Sequence, residues 1–224
     1  MKAVILDSGP LINLSMNGLL YIIKELKEKT GVRFFITKDV KYETLDRPIG
    51  VPRFELGALR ISELLREKII EMPSSLNVED KKIDIETKKL IELANHFASS
   101  DGKFIKIVSD AEISCLALSD IMNKIGIENL VAVDERTTRV LGEDPSSLQN
   151  LMSEKLHSNI KIDKIKSSAF SKYRFIRSTE LVFVAVKLGV IGITSPKILE
   201  AVLYATKFKG AAVSFDEINV LKKL

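Results

Sequence analysis

The sequence predicts an α/β protein of three layers, α/β/α, in which helices cover both faces of a central, mostly parallel sheet. Short apolar runs rich in β-branched or aromatic residues, KAVIL at 2–6, RFFI at 33–36 and NLVAV at 129–133, alternate with longer stretches of helical periodicity. Crossover units with that alternation build a buried parallel sheet. Acidic residues also follow strands or sit on the first turns of helices, at Asp7, Glu43, Asp110, Glu112 and Asp134. An open α/β sheet gathers such positions at the carboxyl ends of its strands.

Residues 2–6 read as the first buried strand, and Asp7 leaves it. Ser8-Gly9-Pro10 opens a helix through Leu11, Ile12, Asn13 and Leu14, with the proline in a first turn where no N–H is needed. Leu20 to Lys29 forms a second helix, with Leu20, Ile22, Ile23 and Leu26 on its inner stripe. After the strand at 33–36, Thr37 is the N-cap of a helix carrying Val40, Glu43 and Thr44. The segment Asp46–Pro52 ends it, because two prolines and a glycine break the hydrogen-bond ladder. Residues 54–67 read as helix, 68–72 as a short strand, 73–77 as a loop and 79–98 as a charged amphipathic helix. Ser109 precedes Asp110-Ala111-Glu112-Ile113 and an apolar helix through Met122. Gly126 closes that helix before the strand at 129–133 delivers Asp134. Helices follow near 146–156, 179–188, 196–207 and 215–223, the last two introduced by Ser195-Pro196 and Ser214.

At 224 residues and 46% hydrophobic, the chain has material for one large domain or a domain with an appendage. No apolar run approaches the ~20 residues of a membrane helix. The N-terminus MKAVILDSGP runs into a strand pattern without a cleavable signal, so the chain reads as cytoplasmic, with no membrane partner. One cysteine, Cys115, excludes an intrachain disulfide or a thiolate cage, and two histidines make a histidine-rich metal site a poor reading. The net charge of +4 is localised. Lys161, Lys164, Lys166, Lys172, Arg174 and Arg177 stand against one acid, Asp163, and the remainder of the chain is left at −1. Phe170, Tyr173 and Phe175 are interleaved with these bases. The segment can therefore track phosphates and stack on bases, or be a solvated connector whose aromatics pack on the domain.

Two carboxylates ~4 Å apart repel by roughly 4 kcal/mol at an effective dielectric near 20, so a cluster of them needs a compensating cation. Mg2+ or Mn2+ takes oxygen ligands and keeps several waters, so a few carboxylates suffice to bind it. Such a site hydrolyses phosphodiesters by activating water and stabilising phosphoryl charge. Each acid also has a structural use. Glu112 completes a Ser109-x-x-Glu112 capping box, Asp110 complements a helix N-terminus, and Asp7 or Asp134 can cap or turn. Glu43 lies beside Lys41 and near Arg47.

The order and spacing of four pieces resemble the PIN-domain ribonucleases. They are Asp7-Ser8 after the first strand, ITKDVKYE ending in Glu43, the helix start SDAEISCLAL, and Asp134-Glu135-Arg136 after a strand. The resemblance covers 1–142 as a PIN-like catalytic domain. It implies an Mg2+- or Mn2+-dependent ribonuclease using Asp7, Glu43, Glu112 and Asp134, with Asp110 as the other choice for the third ligand. Residues 143–224 hold the basic insertion, with Lys164, Lys166, Lys172, Arg174 and Arg177 as its candidate RNA contacts. Helices similar to the C-terminal ones of some archaeal and bacterial PIN proteins follow, packed on the same domain. The family implies RNA as substrate, a homodimer in many members, and either a toxin restrained by an antitoxin or an RNA-processing enzyme. A non-catalytic PIN-fold protein binding RNA or a partner is the alternative.

Overall fold

The computed structural model describes residues 1–100, 102–105, 108–163 and 168–224. Strand β1 (Lys2–Leu6) buries its last four residues and lies third in a five-stranded sheet, as a fully apolar run must in a sheet covered on both faces. Beside it stand β2 (Arg33–Phe35) and then β3 (Ile70–Glu71). On its other side are β6 (Glu128–Ala132) and β8 (Phe175–Ile176). Every described pairing in this sheet is parallel: Ile5 is in register with Phe35 on one side and Val131 on the other, and Val131 with Phe175.

Right-handed crossovers put the helices of the leftward and rightward connections on opposite faces, and the packing agrees. On one face α1 (Ser8–Met16) packs on α4 (Pro52–Arg66), and α2 (Tyr21–Thr30) packs on β2. The same layer receives α9 (Ser178–Lys187) against α1 and α2, with α10 (Ile198–Phe208) and then α11 (Phe215–Leu221) outside it. On the other face α6 (Asp110–Lys124) packs on β1 and β6, with α5 (Asp80–Asn95) against it. Between β6 and β8 run α7 (Arg136–Glu143) and α8 (Pro145–Leu156), packed on each other.

The structure departs from the sequence reading at several places. Helix α3 (Lys38–Lys41) passes into a π turn, Tyr42–Asp46, in which Arg47 N–H donates to Tyr42 O, five residues back, at 2.8 Å. Pro52, read as a breaker, is the first residue of α4, where its fixed φ suits a helix start. The helix read to residue 98 stops at Asn95. A separate antiparallel sheet follows, in the order β5 (Lys103–Phe104), β4 (Ala98–Ser100) and β7 (Ile160–Ile162). Strands of two or three residues are too short to print a period-2 pattern.

The basic stretch is partly structural. Phe170 and Tyr173 are buried, and the rings Phe97, Phe170, Tyr173 and Phe175 form a chain with centroid separations of 5.8, 6.3 and 6.4 Å. The aromatics therefore serve the core. Lys164 and Lys166 lie outside the described residues.

Candidate functional site

Adjacent parallel strands β1 and β6 end beside each other, and their exits carry Asp7 and Asp134. Asp7 N–H donates to Ala132 O at 3.0 Å, which holds the two exits together. A β-carbon on Gly9 would stand 3.4 Å from Asp134 Cβ and 3.6 Å from Asp7 Oδ2, so both acidic positions flank one glycine, where the chain passes closely. Asp7 is the N-cap of α1, and its Oδ2 accepts from Gly9 N–H at 3.4 Å. Its Oδ1 is buried and has no hydrogen-bond partner among the described residues. Burial, then the charge of Glu112 and more weakly that of Glu43, push the Asp7 carboxyl up to about 7, against the lowering effect of the Ser8 and Gly9 N–H groups.

Glu112 sits on the first turn of α6 at 8% exposure. Its Oε2 accepts from Ser109 N–H at 2.7 Å, and its own N–H donates to Ser109 Oγ at 3.2 Å, so the capping box read from the sequence is made. Burial raises its pKa, while the Ser109 N–H and the Thr138 hydroxyl favour its charged form. Thr138 Oγ1 is close enough for that effect yet makes no hydrogen bond of good geometry. Asp110, two residues earlier, is exposed. Of the two candidates for the third acid, Glu112 is the one whose charge bears on Asp7. Glu43 lies half-buried in the π turn, beside a groove between α1 and α4.

Asp134 is built differently. Its Oδ1 accepts from Ser178 N–H at 2.8 Å, and its Oδ2 accepts from Ser178 Oγ at 2.8 Å and Asn13 Nδ2 at 3.0 Å. Three of the ~four acceptor positions of a carboxylate are thus used. Asn13 Nδ2 also donates to Thr206 O at 2.8 Å, and Ala212 N–H donates to Asp134 O at 3.0 Å. Asp134 is therefore the buried knot that ties α1, α9 and α10 to the sheet. Its pKa is raised, by burial first, against these lowering hydrogen bonds.

No family model, no curated protein and no solved structure matches this chain. Its chemistry is read from its own residues. Asp7, Glu43, Glu112 and Asp134 are all acid, and among the described residues no Lys or Arg lies within ion-pair distance of them. The residues fit a hard divalent cation in part. The partnerless Asp7 Oδ1 and the mutual repulsion with Glu112 favour one. Against it, Asp134 is already engaged, and among the described residues no three acidic, His or Cys side chains converge closely enough to hold a metal as they stand.

Sequence reasoning missed Asn13, Ser178 and Asp39. A polar Asn13 within the apolar turn Leu11-Ile12-Asn13-Leu14 was the available signal for the first. Asp39 is half-buried at the rim, its pKa raised by burial and by the charges of Asp84 and Asp110. Of the predicted RNA contacts of the basic stretch, the three among the described residues are ion-paired. Lys172 Nζ lies 2.8 Å from Asp120 Oδ2, Arg174 Nη1 3.4 Å from Glu128 Oε1, and Arg177 bridges Glu180 and Glu217.

Proposed function

We propose that this chain is a divalent-metal-dependent ribonuclease of PIN type, hydrolysing RNA phosphodiester bonds at the carboxyl ends of β1 and β6. The observation that carries the reading is Asp7: a carboxylate buried at a strand exit, next to the charges of Glu112 and Glu43, with one oxygen unpartnered and no basic side chain to balance them among the described residues. A fold retains such an arrangement at a cost, and perturbed, unpaired acids of this kind mark functional sites.

In this reading Asp7 would hold Mg2+ or Mn2+, with Glu112 and Glu43 drawn in as the ion binds, and the ion would supply Lewis acidity toward the phosphoryl oxygens. Asp7 is the central carboxylate, fixed by the β1 exit and the Gly9 N–H. Glu112 is oriented by its capping box, so the helix start sets where its free oxygen faces. Asp134 keeps the two strand exits and the C-terminal helices in register with the acids.

End-labelled single-stranded and structured RNA incubated in Mn2+, Mg2+ or chelator, with Asp7→Asn alongside, tests this. Cleavage that requires the metal and falls at least 100-fold in Asp7→Asn is expected, the scale on which loss of one preorganised electrostatic group acts. Cutting that is equal in Asp7→Asn or in chelator would refute it. A second reading, a PIN-like protein that binds RNA or a partner without cutting, draws on the engagement of Asp134 by Ser178 and Asn13. Salt-sensitive RNA binding with no cleavage in any metal is its signature.

A further inference from the structure

A groove of about 660 Å³ lies between α1 and α4, with Glu43 among its lining residues. Arg47, Arg53 and Arg60 line it together with Met16 and Phe54. Its floor is closed where the two helices approach, since a β-carbon on Gly57 would stand 3.1 Å from Ser15 Oγ. The three arginines are exposed and, among the described residues, none has a carboxylate within ion-pair distance. This differs from the basic stretch at 161–177, where Lys172, Arg174 and Arg177 are each neutralised by acids of the chain. Phe54 is 53% exposed, and the Arg53 guanidinium lies 5.3 Å from its ring centroid.

We propose that this groove, rather than the basic stretch, is the path of a single-stranded RNA, with phosphates on Arg47, Arg53 and Arg60 and a base against Phe54. The inference rests on the ribonuclease reading and names the substrate track of that site. Guanidinium forks match phosphate oxygens, and a cationic groove carrying an aromatic platform is how single strands are held without sequence readout. Arg53 and Arg60 lie two turns apart on α4, ~10 Å along the axis, so they contact separate points on the strand. Glu43, whose charge bears on Asp7, lines the same groove, so a strand lying in it passes beside one of the acids, which a protein partner would not require.

Anisotropy of labelled single-stranded RNA, measured in chelator over a range of KCl, tests the path on the full chain. Arg47→Ala/Arg53→Ala/Arg60→Ala is expected to bind at least tenfold more weakly, with the slope of log affinity against log salt shallower by ~2, as three lost phosphate contacts require. Phe54→Ala should bind about tenfold more weakly with the slope unchanged. Lys172→Ala/Arg174→Ala should bind as the parent does. RNA affinity unmoved in the triple variant overturns the proposal, as does a parent that binds no RNA. A dimer that Phe54→Ala splits while RNA affinity stays constant also overturns it, and gives the groove to a second copy of the chain. Because binding is read without metal, the two readings fail separately. Arginine-borne binding in a protein that cuts nothing upholds the groove and sinks only the nuclease.

Discussion

A carboxylate held in the fold with a raised pKa makes stability depend on pH in a definite direction. Burial and the neighbouring acids push the folded Asp7 carboxyl up to about 7, well above its ordinary value, so the folded chain binds its proton more tightly. Stability is then full at low pH and falls as pH rises from about 4 through about 7, by up to ~4 kcal/mol before screening and relaxation. Glu112 and Asp134, also raised, act in the same sense. The depressed acids Glu71 and Glu217, both near 2, lose stabilisation only below the ordinary glutamate range and leave the window above pH 5 to the site. In chelator the melting temperature should therefore fall from pH 5 to pH 8, and Asp7→Asn should flatten that slope. An unchanged slope in the variant would place the titrating group elsewhere. Asp134→Ala should lose ~3 kcal/mol in urea unfolding, because Ser178 N–H and Asn13 Nδ2 are left buried with donors unmet; a loss under 1 kcal/mol would mean that water reaches them. The acids themselves were legible, since each follows an apolar run or opens a helix. Their partners were not, because Ser178 and Asn13 meet Asp134 across separations of 44 and 121 residues that no local pattern encodes.

Among the elements, the major helices and central strands announced themselves through period and caps. Thr37 and Ser109 cap where the sequence puts them, and Ser214 completes a capping box with Glu217. The π turn at Tyr42–Asp46 did not, because one residue more per turn leaves the same apolar spacing over so short a run. It matters for the site, since Glu43 and the Arg47 N–H both belong to it. Strand β8 was equally silent, at two residues inside a basic run. What fixes it is α7. A β-carbon on Gly142 would stand 2.4 Å from Phe175 Cε2 and 3.1 Å from Phe170 O, so the helix meets β8 and the turn before it at a glycine. Gly142→Ala should destabilise the fold by ~1–3 kcal/mol through overpacking, read from urea unfolding. A neutral result would show that Phe175 can turn aside.

At the scale of the whole molecule the sheet order β3-β2-β1-β6-β8 sets the first strand at the centre and the last at an edge. The groove, the acids and the Asp134 knot all lie on elements that meet around β1. The net charge of +4 is less informative than its pairing, because Lys172, Arg174 and Arg177 of the densest basic run are matched by acids while the scattered arginines near Glu43, among the described residues, are not. Composition could locate the first group and had no means of finding the second. The Asp134 knot has a further consequence in time. A growing chain exposes Asp7, Glu43, Glu112 and Asp134 before Ser178 has been made, and at ~5–20 residues per second the wait for the missing donors lasts seconds. Until then Asp134 has only Asn13 to answer its charge, so the β6 exit is tied to the C-terminal helices only once translation has passed Ser178 and Thr206.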